Sequence, residues 1–515
     1  MDSTFASFMA NQYGWSEPSL ELGRAAYPPE AGQPQTLAEV NVRMPLALGN
    51  RHGLVAGATG TGKTRTLQGM AEQLSLNGVP VFLADIKGDL SGLAQPGAMN
   101  PKLQDRCSKL GINFQGREFP VEYLSLSGKN GIPLRATVSS FGPILLSKVL
   151  GLNETQQSSL TMVFKFCDDR QLPLLDFSDL RAVLTYLTGD GAAELKAYGG
   201  LSSTSVGVLL RKMVELEAQG GDKFFGEPEF DPDDLLRTAP DGRGVISILE
   251  IADLQDRPML FSTFMMWLLA ALYRDLPERG DVDKPILAFF FDEAHFLFDD
   301  ASKAFLDQLQ QVVRLIRSKG VGVYFVTQTP KDVDEEVLAQ LGHRVQHALR
   351  AFTPNDAKAL KATVATFPMT KFYDLEETLT SLGIGEALIT VLNPRGVPTS
   401  PVATVLRPPQ SFMGPATPEM MDKIIRSSPL YEKYSTPIDR ESARELLAKK
   451  MVDMPDDEPV AKSKSAPQEE GMLDKVAGVI NSPLGRQIGR EVVRGLFGLL
   501  GPTPKRRTRR RTGLW

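Results

Sequence analysis

The stretch from Gly53 to Thr64, GLVAGATGTGKT, limits this chain more than any other. It fits G-x-x-x-x-G-K-[ST] with Gly57, Gly62, Lys63 and Thr64 in register. The apolar Gly53-Leu54-Val55-Ala56 leads in as a buried strand, and TRTLQGMAEQLSLNG follows with apolar residues at helical spacing. Glycines let such a loop curl until consecutive N–H groups face inward, and the helix that follows places its positive dipole end at the same point. An anion site is the expected result. Gly57, Ala58, Thr59, Gly60, Thr61, Gly62, Lys63, Thr64 and Arg65 form the expected nucleotide-binding segment, with ATP and Mg²⁺ as ligands. Lys63 would reach the β- and γ-phosphates, and Thr64 would offer its hydroxyl to the metal.

A second chemical stretch, PILAFFFDEAHFLF, spans Pro285 to Phe298. Its apolar run is what a strand covered on both faces looks like, and it leads straight into Asp292-Glu293. Ligands of open α/β sheets sit at the carboxyl ends of strands. Asp292 is the expected Mg²⁺ ligand and Glu293 the residue that orients and polarises attacking water, since phosphoryl transfer asks mainly for positioning and charge. The two stretches lie more than two hundred positions apart and are expected to meet at adjacent strand tips. His295 is expected to pack or to order the loop.

Further strands are expected at Val79–Asp85, Val121–Leu126, Gly244–Ile251, Gly322–Pro330, His343–Phe352, Gly385–Leu392 and Val402–Pro408. Asp85 ends one of them, where it could touch nucleotide or metal, order a loop, or cap a turn. Gln328 ends another, where an amide beside the acidic pair can bond both a γ-phosphate and the attacking water. Arg344 and Arg350 are candidates for an arginine supplied across a subunit interface, with Arg317 as competitor.

The expected fold class is α/β, a P-loop NTPase core with a mainly parallel central sheet, an all-helical insertion and a flexible C-terminal tail. Residues 1–35 read as a poorly structured arm, 36–138 as the first part of the core, and 139–240 as the insertion. The core resumes over 241–410, and 411–515 read as a helical appendage, a disordered linker and a basic tail. About 50 residues precede the phosphate loop, too few for a separate domain of any size. The tail carries a weakly amphipathic, Gly-rich segment (Met472–Gly501) and KRRTRRR (Lys505–Arg511), a charge block of the kind that binds polyanions.

Composition narrows the partners. A net charge of −5 excludes a surface that grips nucleic acid everywhere, so any such contact is expected to be local. Met259–Tyr273, the most hydrophobic stretch, falls short of the roughly 20 residues a spanning helix needs. No secretory signal opens the chain, and Cys107 and Cys167 are expected as reduced thiols of a cytoplasmic protein.

The order GATGTGKT, FFFDEAH, GVGVYFVTQTP and an arginine-bearing strand resembles the HerA/FtsK branch of the P-loop ATPases. With FGEPEF, RSKGVGVYFVTQ and LGHRVQHALRAFTPNDAKAL, the chain is similar to the bacterial YjgR-type HerA-like proteins. The resemblance covers about residues 35 to 500. It implies a RecA-like core assembled into a homo-oligomeric ring, often hexameric, that uses ATP hydrolysis to move double-stranded DNA through a local pore. On this likeness Lys63 and Thr64 match the nucleotide loop, Asp292 and Glu293 the acidic motif, and Gln328 the strand-end glutamine. Arg344 or Arg350 falls in the region that supplies the arginine in trans. HerA proteins carry a β-barrel before the core, for which this chain has no room. A nucleotide-gated switch or scaffold that binds protein or membrane without translocating anything is the alternative reading.

Overall fold

The computed structural model describes residues 3–27, 35–280, 282–298 and 303–452. The segments Met472–Gly501 and Lys505–Arg511, and with them the expected flexible tail, lie outside the described residues. One sheet organises the rest. Its strands are β1 (Ser19–Tyr27), β2 (Gln35–Pro45), β3 (Gly53–Ala56), β4 (Val81–Asp85), β5 (Val121–Ser125) and β6 (Ile132–Pro133). β7 (Ile246–Glu250), β8 (Leu287–Phe291), β9 (Val321–Thr327), β10 (His343–His347), β11 (Glu386–Thr390) and β12 (Val402–Leu406) follow. Their spatial order is β2-β1-β12-β11-β10-β3-β9-β8-β4-β7-β5-β6.

From β10 to β6 every pairing is parallel; from β10 to β2 every pairing is antiparallel. Strands β3, β4, β5, β7, β8 and β9 are buried along their whole lengths. That is why their sequences read as unbroken apolar runs: helices cover both faces. A parallel arrangement also sends every carboxyl end to one edge. The phosphate loop, Asp85, Glu250, Asp292 and Gln328 all emerge there.

The expected adjacency of the two chemical strands is corrected by this topology. β9 pairs with β3 on one side and β8 on the other, so one strand separates the loop from the acidic pair. Sequence periodicity carries no information about spatial order, and β9 is as apolar as its neighbours.

The first 35 residues are also corrected. Instead of a loose arm, Ser3–Tyr13 is a helix and β1 extends the sheet. Phe5, Met9 and Tyr13 recur at the spacing that makes one helical stripe, and all three are fully buried. The Phe5 ring meets Tyr27 and Phe372 edge-on at 5.0 and 5.2 Å. The Tyr13 hydroxyl donates to the Ser400 carbonyl at 2.8 Å and accepts from Thr399 at 2.7 Å. A single helix of this length is marginal alone; its stripe is stable because β2 and the antiparallel wing cover it.

Helices Val138–Val149, Glu154–Asp169, Phe177–Thr188 and Ser203–Leu216 occupy the region expected to be helical. One compact unit runs to Asp453, well beyond position 410. Helix Ala443–Val452 follows Ser442, whose hydroxyl donates to Asp179 at 2.5 Å. Cys107 and Cys167 are free and buried. The apolar helix Pro258–Asp275 lies in the core, and among the described residues no helix is long and apolar enough to cross a membrane.

Candidate nucleotide site

The phosphate loop is tied down on both flanks. Gly57 N–H donates to the Thr327 carbonyl of β9 at 3.2 Å, and Ala58 N–H to the Ala348 carbonyl beyond β10 at 2.9 Å. Gly57 and Gly62 stand at φ 153° and 111°. A Cβ built on Gly57 would lie 2.4 Å from the Cβ of His347, so this position admits no side chain. The helix Lys63–Leu76 starts directly on Gly62.

Lys63 is buried and its ammonium donates to the Gly57 carbonyl at 2.7 Å. Burial lowers its pKa, while Glu293 and Asp292 act against that shift. The two sequence stretches open at the same sheet edge, with β9 between them. Thr64 is half-buried at the first turn of the helix. Arg65 turns away from the loop, donating to Gln68 at 2.8 Å and to the Met413 carbonyl at 3.1 Å.

Asp292 and Glu293 are both buried. Asp292 Oδ1 accepts the Glu293 N–H at 3.0 Å, and its Oδ2 has no hydrogen-bond partner. Burial, then the charges of Glu293 and Asp85, push the Asp292 carboxyl up to about 7. A buried carboxylate oxygen with nothing to bond fits a divalent cation. Asp85, Asp89 and Asp292 each place an oxygen within 4.8 Å of the other two, which adds negative charge to the same spot. Glu293 takes φ 46°, a left-handed conformation that costs a non-glycine residue energy and here re-aims its side chain. Its Oε1 is bound by Lys87, and His295 Nδ1 lies 3.3 Å from its Oε2. The His295 ring lies 4.5 Å from that of Phe296.

Asp85 resolves as a turn cap. Its carboxylate accepts N–H bonds from Lys87, Gly88 and Leu90 at 3.1, 2.8 and 2.8 Å. Those bonds aim Lys87 at Glu293. Gln328 is exposed one residue past the point where the loop docks on β9. Asp332 shapes that turn by accepting from Thr327 and Thr329 at 2.8 to 2.9 Å.

The arginines separate. Arg344 is the second residue of β10, half-buried and bound to Thr366, with its pKa lowered by burial. Arg350 is exposed past the carboxyl end of β10, donating to the Thr380 carbonyl at 2.7 Å. Arg317 precedes β9 and so lies at the opposite edge of the sheet.

Four residues that sequence reasoning did not single out belong to this site: Lys87, Asp89, Asp332 and His347. The polar run IKGDLSG was visible, but its role needs β4 and β8 to be neighbours. His347 is buried, and burial followed by the Lys63 charge lowers its pKa to about 3. Its Nδ1 lies 3.1 Å from the Thr61 carbonyl and its Nε2 2.9 Å from the Thr66 hydroxyl. A carbonyl can only accept, so Nδ1 carries the proton and the neutral ring staples loop to helix.

The chain is similar to several known proteins. The family described as Helicase HerA-like C-terminal matches residues 30–485. The chain is 24% identical over 365 residues to the DNA double-strand break repair helicase HerA of Saccharolobus solfataricus, covering 68% of this chain and 63% of that protein. It is 36% identical over 118 residues to a protein of Methanocaldococcus jannaschii named as a probable helicase, covering 22% of each. It thus spans less than two thirds of both relatives. Among solved structures it is similar to the plasmid coupling protein TrwB in complex with a non-hydrolysable GTP analogue. There the TM-score is 0.48 at 16% identity, over 79% of this chain and 98% of that one.

Proposed function

The chain belongs to the Helicase HerA-like C-terminal family, and from that premise we propose a Mg²⁺-dependent ATPase that works as a ring and moves along duplex DNA. One observation carries the reading: Lys63 of the loop and Asp292-Glu293 of β8 share one electrostatic environment at one sheet edge. The inward N–H groups of the loop and Lys63 bind phosphate charge. Thr64 and Asp292 would hold the metal, the latter through its unpartnered Oδ2. When bound, Mg²⁺ would supply positive charge against the phosphates during transfer. Glu293 positions the attacking water once Lys87 lets it turn, and Gln328 reads the γ-phosphate. Arg350, exposed past the carboxyl end of β10, suits donation to a neighbouring copy better than Arg344, which is half-buried near the other end of that strand.

The test is steady-state ATP hydrolysis with and without duplex DNA over a salt series. Stimulation that falls as salt rises supports movement along DNA, because phosphate contacts release counterions. Hydrolysis indifferent to DNA favours a nucleotide-gated switch instead.

A further inference from the structure

The turn over residues 85–90 leaves β4 carrying two acids, Asp85 and Asp89, and Asp292 follows the neighbouring strand β8. One oxygen of each lies within 4.8 Å of the other two. Oxygens on opposite sides of a single Ca²⁺, bound at about 2.3–2.6 Å, stand about 4.6–5.2 Å apart, so one ion can reach all three. These acids are not a solvated patch, since Asp85 and Asp292 are 0% and 2% exposed. They also keep lone pairs free. Asp292 Oδ2 and Asp89 Oδ1 are buried with no hydrogen-bond partner. Asp85 accepts two N–H bonds on Oδ1 and one on Oδ2, three of the four that a carboxylate takes. The same bonds fix the turn, so one braced segment presents two of the three ligands.

The cations nearby are engaged elsewhere. Lys87 is bound to Glu293, Lys63 donates to the Gly57 carbonyl, and Arg65 donates to Gln68 and Met413. Each acts on the three acids through its field alone. On the other flank Glu250 stands in register with Asp85 across the β4–β7 pair, and its Oε1 is likewise buried without a partner. Among the described residues Asp85, Asp89, Glu250, Asp292 and Glu293 thus outnumber Lys63, Arg65 and Lys87. Buried carboxylate oxygens left unbonded cost free energy that a divalent cation relieves.

We propose that Asp85, Asp89 and Asp292 form a divalent-cation site that fills in the absence of nucleotide. It is separate from the position of the nucleotide's metal. Strands β9 and β8 stand between β3 and β4, which puts the strand leading to Thr64 and the strand leading to Asp89 about 14 Å apart, at roughly 4.8 Å per strand. An ion on the Thr64 hydroxyl and an ion on Asp89 are therefore different ions, with Asp292 common to both. The ion at Asp89 braces the turn that carries Lys87.

Calorimetric titration of the full chain with Mn²⁺, after nucleotide and metal have been stripped, tests this. One Mn²⁺ per chain is expected, with a Kd below about 1 mM. Asp89→Asn, which keeps the side-chain size and loses the charge, should weaken binding by at least about tenfold. Thr64→Ala should leave it unchanged. In the parent protein, Mn²⁺ should raise the thermal midpoint without nucleotide, and NaCl at equal ionic strength should not. That measurement needs no variant to fold. No binding and no rise in midpoint, equal affinity in Asp89→Asn, or loss of binding in Thr64→Ala overturns the site; the last would assign the ion to the nucleotide's metal position. ATP enters none of these measurements, so each outcome leaves the phosphate loop untouched.

Discussion

Lys87 and Glu293, 206 positions apart, close an ion pair at the edge where β4 and β8 run side by side. The carboxylate is almost wholly buried and the lysine 43% exposed. A partly solvated lysine therefore sets its charge against a carboxylate that is otherwise shut away from solvent.

Removing that lysine leaves Glu293 beside His295 and the like charge of Asp292, with Lys63 as the remaining lysine acting on it. Lys87→Ala is expected to cost about 1–2 kcal/mol, reduced from a fully buried pair by the solvent around Lys87. Urea unfolding of Lys87→Ala, Glu293→Gln and the double variant checks the coupling. Strictly additive losses would show that the pair contributes nothing.

The loop lysine and the acidic glutamate divide binding from turnover. Lys63→Ala is expected to lower ATP hydrolysis by at least about a hundredfold while the thermal midpoint stays near the parent value. Glu293→Gln should bind ATP yet barely hydrolyse it. Native-rate hydrolysis by purified Lys63→Ala would refute the site assignment.

Glu250 gives a pH signature. Burial, then the charges of Asp85 and Asp253, push its carboxyl up to about 8, against about 4.3 in an unfolded chain. The folded state thus keeps a proton that the unfolded state has lost. Its stabilising contribution is complete below about pH 4 and disappears as pH rises through 8. The parent should lose thermal midpoint between pH 6 and 8.5, and Glu250→Gln should flatten that slope. Equal slopes in differential scanning fluorimetry would exclude the effect.

The opening helix is part of the core. Phe5→Ala should destabilise the protein by about 3–5 kcal/mol, as for other fully buried aromatics. An arm with no packing role would show no shift in urea midpoint.

The corrections share a cause. Apolar runs such as Leu287–Phe291 and Val321–Thr327 identify buried strands from composition, because two-sided burial selects such residues. They do not say that β9 stands between β3 and β8. Nor do three apolar residues in a short opening helix reveal the wing that covers them. Gln328 could be placed at a strand end from sequence, whereas Arg350, expected inside the strand His343–Phe352, lies past its end because β10 stops at His347; Lys87 and His347 look like any polar residue in a loop or strand until their partners are seen.

Local chemistry was written in the chain itself. Gly57, Gly62, Lys63 and Thr64 lie in a loop between a strand and a helix, and Asp292-Glu293 at the end of an apolar strand; both arrangements need only neighbours in sequence. What the tertiary structure decided is everything that depends on strand order. It put Lys87 on Glu293, His347 under the phosphate loop and Arg106 beside Gly385, because packing a parallel sheet brings together residues that covalent connectivity holds hundreds of positions apart.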